Sequence, residues 1–191
     1  MYSLCLTSAM EYQDQANRER LEGFILDMAK GDKDALAHLY EKTKAAVYGF
    51  SLSILKNSCD AEDVLQDTYI RIYGASGGYQ PSGNPMPWIF TIARNLSLMK
   101  LRDRKRIREL DDSSSRPLAW DNPTLTAEDR LVLIAAMELL SDEERQIVML
   151  HAVTGFKHRE IASLLELPLS TVLSKYRRAI AKLKRRLGES E

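Results

Sequence analysis

The stretch Ser141–Leu187, SDEERQIVMLHAVTGFKHREIASLLELPLSTVLSKYRRAIAKLKRRL, decides the fold. It divides into three helical segments. Ser141 is a favoured N-cap residue, and Glu144 three positions on completes a capping box. Ile147, Val148 and Leu150 put an apolar stripe on the first segment, and Gly155 ends it. Lys157–Leu165 reads as a short second helix with Ile161, Leu164 and Leu165 on one face. Glu166-Leu167-Pro168 reads as the turn, because proline cannot continue a helix but fits the start of the next. The third helix, to about Leu187, carries Val172, Tyr176, Ile180 and Leu183 at spacings of four, four and three, so one face is buried. Its other face shows Ser170, Ser174, Lys175, Arg177 and Arg178. A short helix, a tight turn and a longer basic helix make the helix-turn-helix pattern, whose last helix enters the major groove of DNA.

The charge agrees with a nucleic-acid partner. From Lys157 to Arg186 there are nine Lys or Arg against two Glu, a footprint suited to phosphates. A solvated bundle helix with cations near its C-terminus fits the same pattern and also suits the helix dipole.

The whole chain of 191 residues is formally neutral. Its charge is segregated rather than absent, and 45% hydrophobic residues supply enough core for one or two small domains. Two cysteines, Cys5 and Cys59, make neither a disulfide framework nor a zinc site. No signal peptide and no run of about 20 apolar residues is present, so a cytoplasmic protein without membrane insertion is expected. The histidines are His38, His151 and His158, and no metal-ligand spacing surrounds them. With no phosphate loop or nucleophile motif either, no enzyme, cofactor or metal is expected.

Upstream, Met1 to about Gln15 reads as a loose lead-in. Leu21, Phe24, Ile25 and Met28 mark a first helix over Asn17–Lys30, broken by Gly31. Asp32 can cap a second, which runs to about Lys56 with Leu36, Leu39, Tyr40, Val47, Phe50 and Ile54 at helical spacing. A third spans Asp60–Tyr73, capped by Asp60, with Val64, Leu65, Thr68, Tyr69 and Ile72 inward. Its first half holds Asp60, Glu62, Asp63 and Asp67 and no base. That exceeds what the dipole calls for, and both a partner surface and a solvated face fit it. Gly74–Pro87 reads as turns with one aromatic, Tyr79. The next helix begins near Trp88, and from Arg94 to Arg108 it has seven Lys or Arg against one Asp. An aromatic loop leading into Trp88, Asn95 and a basic stripe suits single-stranded nucleic acid, where rings stack on bases and cations hold phosphates. Trp88 fits the core equally well, and Phe90 reads as core. From Glu109 to Asp129 the chain turns acidic, with six acids against one Arg and a Ser113-Ser114-Ser115 run. Thr126 caps a further helix to Leu140. The expected architecture is all-α: two small helical domains, 17–108 and 126–188, joined by an acidic linker, 109–125, the second a helix-turn-helix domain.

DAEDVLQDTYIRIY (Asp60–Tyr73), PWIFTIARNLSL (Pro87–Leu98) and EIASLLELPLSTVLSKYRRAIAKL (Glu160–Leu183) together resemble the extracytoplasmic-function group of bacterial RNA polymerase sigma factors. The resemblance covers about residues 20–187, with the motifs in the family's order. It implies a transcription initiation factor whose partners are core RNA polymerase and promoter DNA, with an anti-sigma factor a further expected partner. It implies that Glu62, Asp63, Gln66, Asp67 and Arg71 dock on the polymerase beta-prime subunit. Trp88, Arg94, Asn95, Lys100 and Arg102 would melt and read the minus-ten element. Ser170, Thr171, Leu173, Ser174, Lys175, Arg177 and Arg178 would read the minus-thirty-five element. The sequence departs from the family pattern at Met99, where Asp is usual, at Ser141, which follows Leu140 where Pro is common, and at Leu173, which removes a cation from the reading face. A homodimeric helix-turn-helix regulator is the competing reading and calls for paired half-sites. A helical protein-binding adaptor is a third, and it leaves two separate basic helices without a use.

Overall fold

The computed structural model describes residues 2–108 and 138–188, with side chains over 15–106 and 138–186. The described residues are helical, with no strand. Helices α1 (Tyr2–Ala29), α2 (Asp34–Leu55), α3 (Ser58–Ala75) and α4 (Met86–Arg108) form the first unit. Helices α5 (Asp142–Thr154), α6 (His158–Leu165) and α7 (Leu169–Gly188) form the second. The expected linker and most of the helix expected from Thr126 lie outside the described residues.

Two boundaries differ from the sequence reading. The lead-in up to Gln15 is helical in backbone from Tyr2, continuous with the expected first helix. No glycine or proline interrupts the chain before Gly23, so nothing stops α1 upstream of Asn17. Asn57, not Asp60, caps α3: its extended backbone (φ −142°) lets its side chain accept from the Asp60 N–H at 3.0 Å. Lys56, in the left-handed region at φ 55°, ends α2 by donating its N–H to Leu52 O at 2.9 Å. Asp32 caps α2 as expected, accepting from the Asp34 and Ala35 N–H groups at 2.9 and 3.4 Å.

The centre of the molecule is the second half of α2. Gly49, Phe50, Ser51, Leu52, Ser53, Ile54 and Leu55 are all buried. A helix with no solvent-facing side needs neighbours all round, and α2 packs against α1, α3, α4 and α5. Val47, Phe50 and Ile54 join the main core, while Leu52 and Leu55 meet Ala61 and Val64 of α3 in a second cluster. Thr43 donates to Leu39 O at 2.7 Å, so the buried Tyr69 hydroxyl, 2.6 Å away, donates to Thr43.

The two units share this core. Phe90 of α4 is fully buried and lies 5.2 Å, ring to ring, from Phe50 and 5.4 Å from Phe156 of the second unit. Ile147, Leu150, Ile161 and Val172 belong to the same cluster. Arg145, 5% exposed, spans the junction: its guanidinium donates to Leu140 O at 3.0 Å, to Asp142 at 3.2 Å and to Ser53 O at 3.5 Å. Such a charge is tolerated in a core only when its donors are met.

Phe90→Ala opens a cavity touching both units and is expected to cost about 3–5 kcal/mol. Denaturant unfolding should show the loss in one transition that carries α5–α7 with α2–α4. A loss confined to a first, separate transition would contradict the shared core.

Candidate nucleic-acid interface

Gly155 ends α5 at φ 68°, where a side chain would be strained. At the other end Ser141 and Glu144 form the expected capping box: the Glu144 N–H donates to Ser141 Oγ at 3.3 Å, and the Ser141 N–H to Glu144 Oε2 at 2.9 Å. Glu144 is 3% exposed and also accepts from Lys182 of α7 at 2.6 Å. Burial works to raise its carboxyl, but Lys182 and the Ser141 N–H hold it below its ordinary value. Glu166 then turns the chain in the left-handed region, and Pro168 O accepts from the Thr171 N–H at 3.0 Å to start α7.

This frame orients α7. Val172 and Ala179 are fully buried, and Tyr176 and Leu183 pack against Val148 and Met149 of α5. Ser170, Ser174, Arg177 and Arg178 are exposed, while Thr171 and Leu173 are half-buried. Lys175 is tied back to Glu143 of α5 at 2.6 Å, with only 22% of its side chain exposed. It is the least available cation of the set assigned to the minus-thirty-five element.

Glu62, Asp63, Gln66, Asp67 and Arg71 are all exposed on α3, with Val64, Thr68, Tyr69 and Ile72 buried behind them. Ile70, 71% exposed, adds an apolar spot that the sequence reading did not single out. Asp63 accepts from Lys100 of α4 at 2.8 Å, and that bond raises the Lys100 ammonium pKa above its ordinary value. A residue assigned to polymerase and one assigned to DNA therefore hold each other. Arg104 and Asp60 make a second bridge between the helices at 3.2 Å.

On α4 the assigned residues spread over more than one surface. Asn95 and Arg102 are exposed and line a cleft of about 490 Å³ with Arg71 and Met99. Trp88 instead lies half-buried against the core, 4.8 Å from the Tyr79 ring, beside a separate cavity of about 440 Å³. Arg94 reaches Glu166 of the second unit at 3.5 Å. Asn84 donates to Glu160 of α6 at 3.2 Å, and the other Glu160 oxygen accepts from the Lys157 N–H at 2.7 Å. The acidic ends of α6 thus sit on the nucleic-acid face assigned to the first unit. Glu22 of α1 also holds the loop before α4, accepting from Tyr79, Ser82 and Gly83. Its partners lie 57 to 61 positions away, so no local pattern signals the contact.

The family description "Sigma-70 region 2" matches residues 39–107, and "Sigma-70, region 4" matches residues 130–183. The ECF RNA polymerase sigma factor EcfG of Rhodopseudomonas palustris (strain TIE-1) is 30% identical over 135 residues, covering 70% of this chain and 75% of its own. The chain belongs to the ECF group of RNA polymerase sigma factors. The ECF RNA polymerase sigma factor SigK of Mycobacterium sp. (strain KMS) is 28% identical over 178 residues, covering 89% of this chain and 92% of its own. The same fold occurs in a solved complex of the sigma factor RpoE with the anti-sigma factor NepR from Bartonella quintana. That likeness has a TM-score of 0.71 at 24% identity, over 82% of this chain and 98% of that one. Region two of this ECF factor comprises most of α2 with α3 and α4, and region four comprises α5 to α7. Among the described residues, no helix is long and apolar enough to cross a membrane.

Region four also holds a pair of titratable rings that the sequence reading treated only as unremarkable histidines. His151 and His158 lie 4.5 Å apart, and Tyr176 meets them edge-on at 4.9 and 4.8 Å. His151 Nδ1 bonds to Phe156 O at 2.9 Å, while His158 Nε2 is buried without a partner. Burial first, and then the neighbouring His151, push the His158 pKa below its ordinary 6.5. The folded protein thus favours the neutral ring. Below pH 6.5 the unfolded chain takes up this proton first, so stability falls with pH until the folded pKa is also passed. His158→Phe should flatten the stability profile on the acid side of that value. Denaturant midpoints measured over the acid range would check it, and an unchanged slope would count against the assignment.

Proposed function

We propose that this ECF sigma factor binds core RNA polymerase and directs it to promoters by dividing the work between its two units. The domain limits expected from the sequence, 17–108, 109–125 and 126–188, define that division. The exposed α3 face with Glu62, Asp63, Gln66, Asp67 and Arg71 docks on the polymerase. Trp88, Arg94, Asn95, Lys100 and Arg102 melt and read the minus-ten element. Ser170, Thr171, Leu173, Ser174, Lys175, Arg177 and Arg178 read the minus-thirty-five element in the major groove. No hydrolytic step is needed, because binding to the opened strand supplies the free energy of melting.

The observation that carries this reading is the two-sidedness of α7. One side is locked by Val172 and Ala179 against α5 and α6, and the other presents Ser170, Ser174, Arg177 and Arg178 to solvent. A helix held from behind and polar in front is what entry into a major groove requires. The solved RpoE–NepR pair supports an anti-sigma factor as a further partner here.

Run-off transcription with core polymerase, using the DNA upstream of the protein's own coding sequence as first template, tests the whole reading. Within it, Glu62→Lys with Asp67→Lys should weaken co-purification with core while helical content stays intact. Both residues are exposed, and no ion pair to either is present among the described contacts. Unchanged co-purification would remove the docking assignment.

Arg178→Ala should cost about 1–3 kcal/mol of promoter binding if its contact to a base is bidentate. Leu173→Lys should alter which minus-thirty-five sequences are preferred, since Leu can pack on a thymine methyl but cannot hydrogen-bond a base edge. Selection from a promoter library would read both effects, and an identical ranking for wild type and the Leu173 variant would place that residue away from the bases.

A further inference from the structure

The loop between α3 and α4 receives two carboxylates from outside itself. One is Glu160, on α6 of the second unit, which accepts from Asn84 at 3.2 Å. The other is Glu22, on α1. A single oxygen of Glu22 accepts from the Tyr79 hydroxyl at 2.8 Å, the Ser82 N–H at 2.8 Å and the Gly83 N–H at 3.0 Å. Its second oxygen lies 3.2 Å from the Gly83 N–H. Gly83 stands at φ 76°, a conformation that strains any side chain, and this turn aims its N–H at Glu22. Tyr79 is 8% exposed, and its ring meets Trp88 at 4.8 Å. Tyr79, Gln80, Ser82 and Trp88 are among the walls of the cavity of about 440 Å³. Glu22 therefore fixes both the backbone of the loop and the aromatic wall beside it.

The two carboxylates differ in what they depend on. Glu160 reaches the loop only while the second unit rests on the first. Glu22 lies on α1, whose Leu21, Ile25 and Met28 are buried in the core alongside α2 and Tyr79. None of its contacts with the loop passes through the second unit. Charged acceptors facing several N–H and O–H donors make stronger hydrogen bonds than neutral ones. Those donors also hold the Glu22 carboxyl below its ordinary pKa, with the Ser82 N–H the largest contributor.

We infer that Glu22 is a positioning residue for minus-ten recognition: it clasps Tyr79, Ser82 and Gly83 so that the loop and Trp88 keep their shape when promoter strand is engaged. This rests on the reading of the loop and α4 as the minus-ten element's partner. Glu22 touches no DNA in this role and acts through the loop.

The test compares Glu22→Ala, Glu22→Gln and Asn95→Ala in reconstituted holoenzyme, scoring strand opening by permanganate reactivity of unpaired thymines. Core binding and duplex minus-thirty-five binding are scored in parallel, with amide exchange of Ser82 and Gly83 in the free protein. Glu22→Ala is expected to keep both binding activities, to speed exchange at both amides, and to reduce opening about tenfold or more, the scale of losing a charged hydrogen bond. Glu22→Gln retains an acceptor oxygen on the same stem and should recover most of the opening, which a general loss of fold would not allow. Wild-type exchange at Ser82 and Gly83 in Glu22→Ala overturns the clasp. So does opening at the wild-type level in Glu22→Ala while Asn95→Ala is defective, and so does loss of core binding along with opening in both Glu22 variants. Normal opening in Asn95→Ala counts instead against the minus-ten reading itself, and exchange at Ser82 and Gly83 still reports on Glu22 in that case.

Discussion

Seven consecutive buried residues at the end of α2, from Gly49 to Leu55, impose the arrangement of everything else. A helical segment with no wet side cannot stand at the edge of a bundle. It needs α1, α3 and α4 around it, and it also needs α5 of region four. Small and large residues share the segment: Gly49, Ser51 and Ser53 alternate with Phe50, Leu52 and Ile54, and all six are buried. Ser53 turns its hydroxyl to Phe50 O at 2.6 Å, and its own carbonyl takes the Arg145 guanidinium.

Apolar contact, not charge, holds regions two and four together here. The ion pairs across the junction, Arg94–Glu166 and Lys56–Asp142, have partners 80% and 62% exposed, and pairs of that kind contribute about 0–1 kcal/mol each. Burying one large aromatic side chain contributes about 1.5–3 kcal/mol. Phe50, Phe90 and Phe156 are all fully buried in a single cluster. Across the junction Phe156 meets Phe90 ring to ring, and a contact of that kind outweighs either exposed ion pair.

Much of this was legible in the sequence. The α5–α6–α7 pattern, the Ser141 capping box, the Gly155 stop and the inner face of α3 follow from local spacing, and they appear in the structure as read. Phe90 as a core residue was legible for the same reason. What local spacing could not carry were contacts between distant positions. Glu22 and the loop at Tyr79–Gly83 lie far apart in sequence, as do Phe90 and Phe156, and no periodicity links them. Asp60 and Asn57 are equally good cap types, and only the left-handed turn at Lys56 decides for Asn57. The basic run on α4 read as a free stripe. Three of its cations, Arg94, Lys100 and Arg104, are instead already paired with carboxylates on α3 and at Glu166, just past α6.

Those pairings change what salt does. A phosphate approaching Arg94 must displace Glu166, an internal competitor whose local concentration comes from belonging to the same molecule and does not fall on dilution. Added salt screens the phosphate contact and the carboxylate contact alike. Each cation released from a carboxylate and passed to a phosphate also sheds fewer counterions than a free one would. With these pairings in place, the salt slope of phosphate binding at Arg94, Lys100 and Arg104 would be shallower than a count of the Lys and Arg residues implies.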